Sequence, residues 1–235
     1  MSGNLPGSIA NHLLSRLSSD DFQLLQPNLK RVDLPLRMNL EQPNRPIDQI
    51  YFLESGFASV VTDGSGDRSI EVGLIGREGM TGLPVLMGTD RSPHETFVQN
   101  AGGGLKISTG SLRKAMEQSR TLHRTFLLYA HTFVLQVTST AMANGRSKIE
   151  QRLARWLLMA QDRIGKDEVS LTHELLSLML GVRRPGVTVA LKILEEAGVL
   201  RLRRGVISII DRKGLERLAD RTYGVAEAEY RRLLG

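Results

Sequence analysis

The sequence contains no cysteine. That excludes disulfides, thiolate zinc sites, cysteine-ligated iron–sulfur clusters and cysteine nucleophiles, and it fits the cytoplasm, where disulfides are rare. No apolar run approaches the roughly 20 residues that span a bilayer, so no membrane partner is expected. Met1 to Ile9 lacks a basic region followed by an apolar stretch, so no signal peptide is expected. There is no internal repeat and no low-complexity tract. Histidine is sparse and scattered. A cupin-like enzyme needs several histidines and a carboxylate at short spacing, and the strand-rich region offers only His94. A haem ligand could come from His12, His94, His123 or His131, but each alone reads as ordinary surface or a satisfied core residue. No serine–histidine–acid set stands out, and Gly102-Gly103-Gly104 reads as a turn rather than a phosphate loop. Neither an enzyme nor a metal site is expected.

What is present is enough for folded cores. Hydrophobic residues make up 41% of 235, which suggests one large domain or two small ones. Charge is unevenly spread. Residues 1–145 carry 13 Lys/Arg and 13 Asp/Glu, whereas residues 146–235 carry 18 and 12. The net charge of +6 therefore lies in the last 90 residues. A neutral half joined to a basic half suggests a polyanion partner for the second, against the plainer reading of a basic solvated surface.

Ser19-Asp20-Asp21 reads as a helix start, with Phe22, Leu24, Leu25 and Leu29 as its apolar residues. From about Arg31 to Ser108, short β-rich runs alternate with turns: Gln49 to Leu53, Phe57 to Thr62, Arg68 to Ile75, Glu95 to Gln99 and Gly104 to Ser108. Ser55-Gly56 follows one run, and Asp63-Gly64-Ser65-Gly66-Asp67 reads as a hairpin loop. This spacing predicts a small barrel or jelly roll. After a short helix over Leu112 to Glu117, Leu122 to Asn144 predicts one long helix, ended by Asn144-Gly145. Its stripe Phe126, Ala130, Phe133, Val137 and Ala141 is close to coiled-coil spacing. The stripe suits packing on a second copy, with burial against its own barrel as the alternative. Ile149 to Arg163 predicts the next helix, with Leu153, Trp156, Leu157 and Ala160 inward. The domain boundary is placed near Gly145, giving 1–145 and 146–235.

The strongest pattern runs from Ser170 to Asp211. Thr172 is a helix N-cap; Leu175, Leu176, Met179 and Leu180 form an apolar face; Gly181 makes a tight turn. A second helix starts at Arg183-Arg184-Pro185, with proline near the first helical position. Val187, Ala190, Leu191 and Leu194 face inward, while Arg184, Thr188 and Lys192 recur every four residues on another face. Val199 to Arg203 and Val206 to Ile210, joined at Arg204-Gly205, read as a wing with Arg203 and Arg204 at its tip. Together these predict a winged helix-turn-helix that binds double-stranded DNA. Arg183 and Arg184 sit where arginine can donate two hydrogen bonds to guanine, Thr188 one turn deeper, and Lys192 where phosphate lies.

These residues resemble the CRP/FNR family of bacterial transcription regulators. The match is carried by Thr172, Gly181, Arg184, Val187 and Leu191, and by Ile50-Tyr-Phe-Leu-Glu-Ser-Gly56, which resembles the family's barrel signature. The resemblance implies an α+β fold: an N-terminal jelly-roll-like β-roll, a long dimerisation helix and a C-terminal winged helix-turn-helix. It also implies a homodimer on a near-palindromic operator, and contact with RNA polymerase in an activator.

The departures are specific. Members that bind cyclic AMP start a short phosphate-cassette helix with Gly-Glu. Here Gly79-Met80-Thr81-Gly82-Leu83 fills that place, with Met80 where the Glu belongs. The Arg-Ser/Thr-Ala that holds the phosphate looks like Arg91-Ser92-Pro93, and Gln136-Val137-Thr138-Ser139 resembles the segment that reaches the adenine. The implied effector contacts are Gly79, Met80, Gly82, Arg91, Ser92, Thr138 and Ser139. A cyclic nucleotide is thus half provided for, and the effector is unknown or absent. Two of the family's usual base contacts fall on Pro185 and Val189, so the operator is expected to differ. The competing reading is a metabolite sensor whose C-terminal half binds protein. DNA affinity that falls steeply with salt separates the two.

Overall fold

The structure is a computed structural model that describes residues 9–62 and 69–235. The expected hairpin loop at 63–67 lies outside the described residues, as does Arg68.

Two short helices come first among the described residues, α1 (His12–Ser15) and α2 (Ser19–Leu25). Ser18 caps α2 through its side chain, one residue before the expected start. Seven strands follow: β1 (Lys30–Leu34), β2 (Asn39–Glu41), β3 (Gln49–Leu53), β4 (Phe57–Thr62), β5 (Ile70–Ile75), β6 (Glu95–Asn100) and β7 (Gly102–Ser108), with the one-turn helix α3 (Leu83–Leu86) between β5 and β6. They form a three-stranded sheet in the order β1-β7-β3 and a four-stranded sheet in the order β2-β6-β4-β5, all pairs antiparallel. Leu34, Leu53, Val60, Ile75 and Val98 are buried in one cluster drawn from both sheets. This is the expected roll.

The three glycines expected as a turn are instead the first three residues of β7, opposite Leu34, Asp33 and Val32 of β1. β7 is the central strand of its sheet, and a Cβ on Gly104 would stand 2.4 Å from the Phe52 carbonyl oxygen. Close backbone approach, not chain reversal, explains the run.

After α4 (Thr109–Gln118) comes the long helix α5 (Arg120–Arg146). It runs through Asn144-Gly145 and ends at Ser147. A single glycine costs an exposed helix only ~1 kcal/mol, too little to stop 27 residues. By length and composition alone α5 could cross a membrane, but its buried residues Phe126, Tyr129, Ala130 and Phe133 pack into the roll. Three residues of the expected stripe, Phe126, Ala130 and Phe133, are covered by the chain's own barrel, the alternative use of that face, whereas Val137 is half-buried and Ala141 exposed. The large exposed apolar residues of α5 are Leu127, Val134 and Met142. The stripe and this second face lie side by side on the helix, and coiled-coil spacing cannot tell them apart.

The C-terminal half comprises α6 (Ile149–Ile164), β8 (Glu168–Ser170), α7 (His173–Leu180), α8 (Arg184–Glu196), β9 (Leu200–Arg203), β10 (Val206–Ile209), α9 (Arg212–Ala219) and α10 (Val225–Leu234). Leu153, Trp156, Leu157 and Ala160 of α6 are buried, as its periodicity requires. The three strands order as β8-β10-β9. The core of this half does not close on itself. Phe57, Val61 and Leu74 of the roll join it. The Trp156 ring lies edge-on to Phe57 with centroids 6.2 Å apart, and its Nε1 donates to Glu71 at 2.6 Å. Helix α10 folds back onto α5, and Leu234 is buried with Leu13 and Leu14.

Candidate functional site

Helix α7 is capped by the Thr172 side chain, which accepts from the Leu175 N–H. Leu176, Met179 and Leu180 are buried. Gly181 then turns the chain at φ +59, a left-handed conformation that L side chains rarely adopt. A Cβ there would also press on Ile70 of the roll at 2.9 Å. Arg183 is the N-cap of α8 and Pro185 lies in its first turn. Val187, Ala190, Leu191 and Leu194 are buried, so α8 is fixed from behind and its opposite face stays open.

That face carries Arg184, Thr188 and Lys192, all exposed. Arg184 Nη2 meets Glu174 of α7 at 2.7 Å. Both groups are mostly in water, so the pair is weak and can yield to a base edge. The Thr188 hydroxyl donates to the Arg184 carbonyl at 3.2 Å and lies 3.1 Å from His173 Nδ1. Lys192 is 3.8 Å from Glu196. Val189 and Ile193 are also exposed on α8, at 58% and 40%. Sequence reading counted Val189 only as a lost polar contact. An apolar side chain on the outward face can meet a thymine methyl. Arg203 and Arg204 are exposed at the wing turn. Glu195 ties the wing to α8 by accepting from the Leu202 N–H at 2.8 Å.

The expected effector residues are not all brought together. A cavity of about 420 Å³ opens between the roll, α3 and α5. Gly82, Ser92 and Thr138 line it; Gly79, Met80, Arg91 and Ser139 do not. Met80 is fully buried in the roll, where its carbonyl accepts from the Tyr129 hydroxyl at 3.2 Å. Gly79 lies against the hydroxyl end of the Tyr129 side chain. Arg91 is at the surface, 3.6 Å from Asp90 and bonded to the Asn44 carbonyl. An apolar side chain at position 80 is buried in the roll instead of being offered to the cavity.

The cavity has members that sequence reading missed. Glu41 at the end of β2 is buried, accepting from the Gly82 N–H at 2.5 Å and from the Thr96 hydroxyl at 3.1 Å. Burial pushes its carboxyl above the usual range, against those two bonds. Nothing local to Glu41 announces this, because its partners lie 41 and 55 residues away. The four histidines considered for haem are separate: His94 lines this cavity, His12 another, His123 faces the Leu86 carbonyl, and His131 lies near Glu229.

A second cavity of about 250 Å³ lies where α6 and α10 meet the roll. Beside it, Glu78 pairs with buried Arg163 of α6 at 2.7 Å, and its carbonyl accepts from the Tyr230 hydroxyl at 2.8 Å. Glu78 therefore holds two helices of the C-terminal half, α6 and α10, four residues before Gly82 reaches the first cavity.

Residues 151–218 match the Crp-like helix-turn-helix domain family. No curated protein matches the sequence. Among solved structures, a transcriptional regulator of the Crp/Fnr family from Eubacterium rectale superposes with a TM-score of 0.69 at 21% identity, over 88% of this chain and 97% of that one. FixK2 from Bradyrhizobium japonicum does so with 0.71 at 16%, over 82% and 98%. CLP from Xanthomonas campestris, described as a c-di-GMP responsive global regulator, gives 0.66 at 18%, over 83% and 100%. The chain thus carries a Crp-like helix-turn-helix DNA-binding domain on the fold of the CRP/FNR-type transcription regulators.

Proposed function

We propose that this protein is a sequence-specific DNA-binding regulator that acts in the cytoplasm as a homodimer and has no catalytic role. The observation that carries the reading is α8: held by four buried residues behind, open in front, and set beside a wing tipped with two arginines. Arg184 and Arg183 reach base edges at the N-terminal end of α8, Thr188 and Val189 reach the next step of the groove, and Lys192, Arg203 and Arg204 hold phosphate. Thr172 positions α7 as a helix cap. Residues 1–145 serve as the sensory unit and 146–235 as the DNA-binding unit. The exposed residues Leu127, Val134 and Met142 on α5 supply the dimer seam. Two copies paired there would present their recognition helices to half-sites about one helical turn, ~34 Å, apart. As an activator the dimer would also touch RNA polymerase.

The test is an operator selected from random duplexes by the purified full chain, followed by binding at several salt concentrations. The expected result is a near-palindromic site, two chains per duplex, and affinity that falls steeply as phosphate contacts release counterions. A monomer that binds only single half-sites, or affinity indifferent to salt, would overturn the reading.

A further inference from the structure

The cavity between the roll and α5 has the wrong chemistry for an anion. The stretch that resembles a phosphate cassette turns its Gly82 N–H onto the chain's own Glu41 carboxylate. The arginine expected to hold a phosphate, Arg91, is outside, against Asp90. Among the described residues the buried Glu41 carboxyl is met by two hydrogen bonds, from the Gly82 N–H and the Thr96 hydroxyl, and by no basic side chain. The walls around it are mainly apolar, with Val60, Ile75, Leu83, Phe133 and Val137 among them. His94 lines the same space, and its buried Nδ1 has no hydrogen-bond partner among the described residues. An entering phosphate would sit beside a buried carboxylate in a low-dielectric pocket, where like charges repel far more than in water. An entering cation would find there the counter-charge it needs.

We propose that this cavity binds a small, mainly apolar molecule carrying one cationic amine head, which pairs with Glu41, and that it does not bind cyclic nucleotides. At about 420 Å³ the cavity suits a ligand of one or two rings. The apolar body lies along Phe133 and Val137 of α5, and the ammonium donates to Glu41 and to His94 Nδ1. The inference rests on reading the roll as a sensor. Binding is measured without DNA, so its failure leaves the DNA-binding reading standing, and failure of operator binding leaves this one standing.

The experiment is calorimetric titration of the full chain with 1-naphthylmethylamine, its uncharged counterpart 1-naphthylmethanol, cyclic AMP and c-di-GMP. The amine is expected to bind saturably, one per chain, and at least about tenfold more tightly than the alcohol, because only the amine pairs with the buried charge. Glu41→Gln keeps an acceptor for the Gly82 N–H. It should erase the preference for the amine and leave the alcohol unchanged. Val137→Phe leaves Glu41 intact and fills the cavity, so it should abolish binding of both; it decides the matter if Glu41→Gln does not fold. The proposal is overturned by equal affinity for amine and alcohol, by amine binding indifferent to Val137→Phe, by no amine binding at millimolar concentration, or by saturable binding of either nucleotide.

Discussion

The outward face of α8 and the cavity under α5 are both candidate sites, yet they are built in opposite ways. The first comes from three turns of one helix, and its side chains touch little else. The second is assembled from β2, β4, β5, β6, α3 and α5, and several of its residues also hold the roll together. The difference teaches that a site on one element can be varied without disturbing the fold, whereas a site shared among elements cannot.

Four substitutions sharpen or break this contrast. The largest effect is expected at the seam, from Trp156→Ala. It removes a buried ring and takes from Glu71 its indole donor, and large aromatic truncations cost ~3–5 kcal/mol. Chemical denaturation should show a midpoint far below that of the native chain. A near-native midpoint would mean that the two halves do not depend on this contact. Arg184→Ala comes next. It should weaken operator binding by ~1–3 kcal/mol, relax preference at one base, and leave the melting temperature unchanged. Equal loss on random DNA would place Arg184 on phosphate.

The third concerns pH. Burial pushes Glu71 from its ordinary 4.5 up to about 7, opposed by hydrogen bonds from Ser59 and Trp156 and by Arg163 and Arg155. Between those values the folded chain keeps a proton that the unfolded chain has released. Its contribution is fully present below pH ~4.5 and lost as pH rises through ~7. Glu71→Gln should therefore flatten the stability profile over that window, seen as a difference from the native chain that grows with pH. Parallel profiles would mean that Glu71 titrates normally. The smallest effect is expected from Thr172→Ala, which removes the cap of α7 and should cost ~1 kcal/mol in urea melts. No change would show that the buried face alone fixes α7.

How much was legible follows from the same contrast. The helix-turn-helix was readable because cap, apolar period, glycine turn and proline all lie within 15 residues of one another. The strands were readable from their turns, except β1 and β2, whose burial is too irregular to give a clean alternation, and β8, which is only three residues long. The orientation of α5 was not, because its apolar residues cover more than one face and only the roll decides which is buried. Glu41 was invisible, because its role exists only once β2, β6 and Gly82 meet. Arg91 and Met80 misled for a related reason: a family position fixes where a residue falls in the chain, not which way it points.

The stretch from Glu78 to Gly82 behaves as a shackle between the two halves. One end is pinned to Arg163 and Tyr230, the middle is roofed by Tyr129, and the other end is fastened to Glu41 in the cavity wall. Four residue steps separate the pins, at most roughly 14 Å of chain even if pulled straight. So short a tether stores little slack. A ligand that draws Glu41 inward has only this handful of peptide units through which to move, and their far end already grips the helix on which the DNA reader is mounted.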